Sequence, residues 1–202
     1  ANMLIELKEQ VLLILEYSWP MIAMAVIVAI TVRVGYLRKN NEKAILYKEI
    51  FNLLFILYIL CLFHAVTYQD VSWASANLIP FKEILRYDFG SNLFYRNIFG
   101  NLLLFLPYGL YITCYLDLKK PLSVMGYAFI ISLSIELIQS IIGRVFDVDD
   151  IILNVLGALL GYFIYRLFDR FEDILPDWLK KEWLIDILVI VLVGGVIWFL
   201  MV

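Results

Sequence analysis

Long apolar runs separated by short charged segments dominate the chain. Six of these runs approach the roughly 20 residues that a helix needs to cross the hydrocarbon core of a bilayer. They are Ser18 to Leu37, Ile50 to Tyr68, Asn97 to Leu116, Pro121 to Ile142, Ile151 to Phe168 and Leu184 to Val202. Trp19, Tyr36, Tyr47, Tyr68, Tyr115 and Trp183 fall near the proposed ends, where amphipathic rings prefer the headgroup region. The pattern predicts an all-α, polytopic membrane bundle of about six transmembrane helices. It divides the chain into a first helix with its loop (1–50), a membrane domain (51–168), and a polar linker with a last helix (169–202).

The segment Gln69 to Arg96, between the second and third spans, is too aromatic for a free loop. Trp73, Phe81, Tyr87, Phe89, Phe94 and Tyr95 alternate there with charged groups, which predicts a segment lying on or re-entering the interface. Pro80 followed by Phe81, Lys82, Glu83, Ile84 and Leu85 predicts a short helix starting at Pro80, with Gly90 near its end. Asp169 to Glu182, with Pro176 and Trp178, reads as a surface turn or a short interfacial helix.

The polar positions inside the spans are not scattered. Ser132, Glu136, Gln139 and Gly143 follow i, i+4, i+7, i+11 spacing, and Asp150, Asn154, Gly157 and Gly161 repeat it. At 100° per residue each set gathers on one helix face. In the third span Asn97, Asn101 and Tyr108 share a face, with Pro107 and Gly109 beyond them. Gly157 and Gly161 form a small-xxx-small pair that lets a neighbouring helix approach closely. Pro107 frees backbone carbonyls, tolerable where the helix lines a cavity or packs on protein. Asp149 or Asp150, just before Ile151, also fits a helix N-cap favoured by the macrodipole. Asn154, one turn further on the same face, sets Asp150 apart.

Glu136 is the hardest of these to treat as packing. A carboxylate about two turns inside a membrane helix costs a few kcal/mol unless it is protonated, paired or hydrated. Arg144, Gln139, Asn101 and Asn154 are its plausible partners. Two readings stay open. In one, an Arg144–Glu136 or Arg144–Asp147 ion pair simply holds the bundle together. In the other, a polar pocket opens to the outer leaflet, Arg144 holds a phosphate or carboxylate, and Glu136, Asp147 and Asp150 serve as acid and base or bind a divalent cation through oxygen. No cofactor is required by the sequence. His64, near the outer end of the second span, fits a packing residue with one hydrogen bond better than a titrating site.

Composition sharpens this picture. With 63% hydrophobic and 17% charged residues, the chain lies outside the range of water-soluble folds. Its net charge of -3 carries no basic excess for nucleic acid. Cys61 and Cys114 lie in apolar stretches without metal-ligand spacing and read as small buried hydrophobes. Glu6, Lys8 and Glu9 precede the first apolar run and no small-residue cleavage site follows it, so that run is expected to be retained. Orientation follows from Lys and Arg, which cytoplasmic loops keep. One side collects Arg33, Arg38, Lys39, Lys43, Lys48, Lys119, Lys120, Arg166, Arg170, Lys180 and Lys181; the other has only Lys8, Lys82, Arg86, Arg96 and Arg144. Both termini and the polar ends of the middle spans are therefore expected outside the cytoplasm.

Several stretches together resemble a known family. They are Asn77-Leu78-Ile79-Pro80-Phe81, then Asn101 to Phe105 running on through Leu106-Pro107-Tyr108-Gly109, then Glu136-Leu137-Ile138-Gln139, then Arg144-Val145-Phe146-Asp147-Val148-Asp149-Asp150, closing with Asn154, Gly157 and Gly161. In order and spacing this is similar to the VanZ-like family, over roughly Phe51 to Phe168. Tyr108 stands where a small or aliphatic residue is more usual, and the sixth span lies beyond the shared region. The resemblance implies a bacterial cytoplasmic-membrane protein; the family's founding member lowers susceptibility to the glycopeptide teicoplanin. It adds Asn77 and Phe81 to Arg144, Asn101, Gln139 and Asn154 as substrate-binding candidates, with Pro107, Gly109, Gly157 and Gly161 structural. The implied partners are membrane lipids and a lipid-linked cell-wall precursor or lipoglycopeptide. A non-catalytic protein that shields its target fits the same location. A flippase or small transporter fits less well, because Val124 to Ile131 and Leu159 to Leu167 are mostly apolar.

Overall fold

The computed structural model describes residues 2–67, 76–86, 88, 91, 94–174, 176 and 181–201. Six α-helices order the described chain: α1 Asn2–Asn40, α2 Leu46–Thr67, α3 Gly100–Tyr115, α4 Pro121–Ile141, α5 Val148–Ile174 and α6 Glu182–Met201. Among the described residues five stretches are long and apolar enough to cross a membrane: Glu16–Asn40, Leu46–His64, Asn97–Tyr115, Pro121–Ile141 and Val148–Phe171. Between their ends helices satisfy their backbone groups internally, as a segment in hydrocarbon must. The protein is an all-α, multi-pass membrane bundle, and α6 covers most of the sixth predicted span.

The boundaries depart from the hydropathy pattern in two places. α1 begins at Asn2, well before Ser18, because Leu, Glu, Lys and Gln are strong helix formers even where they are too polar to count as a span. α5 runs on past Phe168 to Ile174, with Arg166 and Asp169 paired at i, i+3 spacing along its surface. Trp73, Tyr87, Phe89, Gly90 and Trp178, and the ends of the second and sixth predicted spans at Tyr68 and Val202, lie outside the described residues.

Two compact units make up the chain: Ala1–His64 with Ile174–Val202, and Ala65–Asp173. In the first, Arg33 of α1 grips Glu49 of α2 with Nε and Nη2 at 2.9–3.1 Å. Asp186 Oδ1 of α6 accepts the Tyr47 backbone N–H at 2.8 Å, filling one of the donors that the start of α2 cannot satisfy itself. Cys61 is half-buried and Cys114 exposed, and neither is in a disulfide. The expectation of two buried thiols fails for Cys114, which is exposed on α3 beside Tyr165 of α5.

In the second unit α3 and α5 pack with unusual closeness. A Cβ on Gly157 would collide with the Leu102 carbonyl, one on Gly161 with the Leu106 carbonyl, and one on Gly109 with the Ala158 backbone. The α3 and α5 backbones thus meet along the Gly109–Gly157–Gly161 seam. Phe105, Thr113, Val124 and Ala128 fill the core beside it. Pro107 lies within α3 without ending it, exposed on the opposite side. Tyr162 Oη, lower on α5, donates to the Lys119 carbonyl and fixes the α3–α4 turn.

Candidate functional site

Along α4 the buried positions are Val124, Ala128, Ser132, Glu136 and Gln139, so the polar stripe read from the sequence continues an apolar one and turns inward. Gly143 closes the helix. It takes φ 86°, its N–H donates to the Ser140 carbonyl, and the Arg144 N–H donates to the Gln139 carbonyl at 2.9 Å. These paired bonds around a left-handed glycine reverse the chain and carry Arg144 back over Gln139. Sequence spacing alone counted Gly143 as part of the stripe; its conformation makes it the turn that ends it.

Glu136 is 2% exposed. Its Oε2 accepts the Asp147 N–H at 2.9 Å. The Gln139 amide lies between it and Arg144: with the amide turned to the orientation its neighbours favour, Nε2 donates to Glu136 Oε1 at 2.9 Å and Oε1 accepts from Arg144 Nη1. Glu136 is thus held by amides, with Arg144 linked to it through Gln139. On α5, Asp150 Oδ1 accepts from Asn101 Nδ2 of α3, and Asn154 Nδ2 donates to Ser132 Oγ of α4 at 2.9 Å. The polar groups of three helices therefore meet at one level, as their spacing predicts.

Asp147 and Asp149 bind the segment that precedes α3. Asn77 and Asp147 pair in a parallel bridge: the Asn77 N–H donates to the Phe146 carbonyl at 2.8 Å and the Val148 N–H to the Asn77 carbonyl at 3.1 Å. Asn77 Nδ2 adds a bond to Asp147 Oδ1 at 2.8 Å, which also accepts the Asp149 N–H. Burial pushes the Asp147 carboxyl above its ordinary value, as do the charges of Asp149 and Glu83, against the Asp149 N–H and Asn77 amide that favour the anion. Asp149, 1% exposed, accepts three backbone N–H groups, from Phe81, Glu83 and Ile84, at 2.5–3.2 Å.

The segment itself is a turn ending in one 3₁₀ turn, Ile84–Arg86, instead of the α-helix expected from Pro80 onward. Phe81 adopts φ 66°, which an α-helix does not allow. The Phe81 side chain is exposed; only its backbone N–H enters the cluster. Leu78, Ile79 and Leu85 are exposed beside it. Asp149 is the site residue that sequence reasoning missed. Its position before an apolar run signals an N-cap, and the three amides it holds belong to a segment more than sixty residues away, which no local pattern displays.

Glu136, Gln139, Arg144, Asp147, Asp150, Asn101, Asn154 and Asn77 are thus brought together, while Pro107 and the Phe81 side chain stand apart. Among the described residues no three His, Cys, Asp or Glu side chains gather as metal ligands, so the divalent-cation option has no ready ligand set there. The chemistry on offer is a carboxylate-rich, amide-bridged cluster with one guanidinium at its edge. Compared with known proteins, residues 50–169 match the model of the VanZ/LLP1 family. No curated protein and no solved structure matches the chain.

Proposed function

Since the chain belongs to the VanZ/LLP1 family, we propose that it holds the polar head of a lipid-linked or cell-envelope substrate in the Glu136–Asp150–Asn154 cluster, facing the extracytoplasmic side of a bacterial cytoplasmic membrane. The supporting observation is that Glu136, Asp150 and Asn154 each hydrogen-bond to a neighbouring segment, to the Asp147 N–H, Asn101 and Ser132 respectively, and so bring polar groups of three helices into one region. A bundle needs no such concentration of acids for stability, since each costs a few kcal/mol to place in lipid. On this reading Arg144 and Gln139 meet the anionic part of the head. Glu136, Asp147 and Asp150 are the groups able to exchange a proton with it. An effect on teicoplanin-type glycopeptides would follow from changing or covering lipid-linked precursors at that surface.

Glu136→Gln keeps the side-chain volume and one acceptor for the Asp147 N–H. It is expected to lower head-group retention about tenfold, and with it any glycopeptide phenotype, while the protein accumulates normally. Mass spectrometry of lipid co-purified with equal amounts of folded protein measures the first, and susceptibility of the host cells the second. Unchanged retention and phenotype would favour the shielding protein, for which Phe81→Ala should be the more harmful change. The orientation has its own test. With Cys61 and Cys114 replaced by alanine, a single cysteine at Lys82 should react with a membrane-impermeant maleimide added to intact cells; reaction only after lysis would reverse the topology.

A further inference from the structure

Asn154 is 3% exposed, and its Oδ1 is the one buried side-chain polar atom, among the described residues, without a hydrogen-bond partner. Leaving a buried acceptor of this kind unmet is costly, because it has given up its water without a replacement donor. Its neighbours define what could meet it. Asn154 Nδ2 is committed to Ser132 Oγ. Helical side chains lean toward the N-terminus of their helix, so the amide leans toward the turn that carries Asp150. Ser132 stands one turn from Glu136 on the facing helix, and one-turn neighbours lie within side-chain reach. The orphaned oxygen therefore sits in a frame of Ser132, Glu136, Asp150 and Asn154 between α4 and α5. Charge points the same way. Around this frame Glu136, Asp147, Asp149 and Asp150 face Arg144 as the cation described among them. Arg144 is itself engaged with Gln139. Asp150, at the first turn of α5, is only part-buried, so a group arriving at the end of the span meets it first and Asn154 one turn deeper.

We propose that this frame takes a primary ammonium group of a lipid head, with Asp150 supplying the opposing charge and Asn154 Oδ1 a hydrogen-bond acceptor. The inference rests on the head-group reading above and narrows it to one chemistry. An ammonium brings three donors and a positive charge, which the frame lacks. A trimethylated head carries the charge without donors, and a glycerol head carries donors without the charge. Arg144 then lies on the side where the phosphate of such a head would be.

The full chain is purified in neutral detergent with an equimolar mixture of phosphatidylethanolamine, phosphatidylcholine and phosphatidylglycerol, and retained lipid is read by native mass spectrometry. The ethanolamine lipid should exceed the choline lipid about tenfold, the ratio set by one charge-assisted hydrogen bond. Asn154→Leu should bring the ratio to about one, whereas Asn154→Asp, which keeps an acceptor, preserves it; thermal unfolding confirms that both variants are folded. Soluble phosphoethanolamine at the same concentration should displace nothing, and displacement would overturn the assignment to a lipid. A ratio near one in the unsubstituted protein, as a buried water alone would give, overturns the proposal. So does a preference that survives Asn154→Leu, or a preference for the glycerol lipid. If lipid is retained without regard to its amine, only this inference falls; if no lipid of any head is retained, the head-group reading falls with it.

Discussion

Replacing Gly157 with valine is expected to remove most folded protein, lowering the unfolding temperature of what remains by about 10 °C. A side chain there must enter space already filled by the Leu102 carbonyl of α3. Backbone cannot rotate aside as a flexible side chain can, so α3 and α5 must separate along their length. Overpacking in a well-packed core costs about 1–3 kcal/mol, and a clash with main chain belongs at the upper end. Gly161→Ala and Gly109→Ala meet the Leu106 and Ala158 backbones and should behave alike. Gly126→Ala is the control, since nothing lies within 4 Å of its would-be Cβ. It should be neutral or slightly stabilising through helix propensity. Thermal unfolding of the four variants in one detergent measures the contrast; equal losses at Gly126 and Gly157 would contradict the close seam.

Asp149→Ala should release residues 81–86 while leaving the Asn77 bridge and the bundle intact. One carboxylate accepts the Phe81, Glu83 and Ile84 N–H groups. Hydrogen bonds to a charged group contribute roughly 1.5–3 kcal/mol each. The three are not additive, because the segment can lift off before all of them are paid in full as orphaned donors. Hydrogen exchange at these three amides is expected to accelerate by about 100-fold or more, with exchange in α4 and α5 little changed. Asp149→Asn, which retains one acceptor oxygen and no charge, should fall between the two. If the three amides exchange as slowly in Asp149→Ala as in the unsubstituted protein, the segment is held by something other than this carboxylate.

What the sequence displayed and what it concealed follow from the range of the interactions. Ser132, Glu136 and Gln139 are visible because helical periodicity is local: their spacing fixes a shared face before any neighbour is known, and burial then selects that face. Gly157 and Gly161 are visible for the same reason, although their partners Leu102 and Leu106 are not. The Asn77–Asp147 bridge and the Asp149 cap join residues about seventy positions apart through backbone amides, and backbone carries no residue-specific mark. The turn at Phe81 is not legible in the sequence because Pro80 and the residues after it fit a first helical turn equally well; the left-handed φ accompanies docking on Asp149. The expected first span agrees with the apolar part of α1, and the helix extends beyond it because hydropathy measures fitness for lipid, on which helix formation does not depend.

The bond from Asp186 to the Tyr47 amide bears on how far the family-matched region is self-sufficient. A chain trimmed to residues 50–169 would retain every member of the acidic cluster. It would lack both the amide that Asp186 receives and the helix that delivers the acceptor, so α2 would begin with frayed turns where the matched region begins. The last helix, outside the family's shared stretch, is in this sense a bracket for its opening strand of sequence, and an isolated core should be judged by whether its first helix still starts in register.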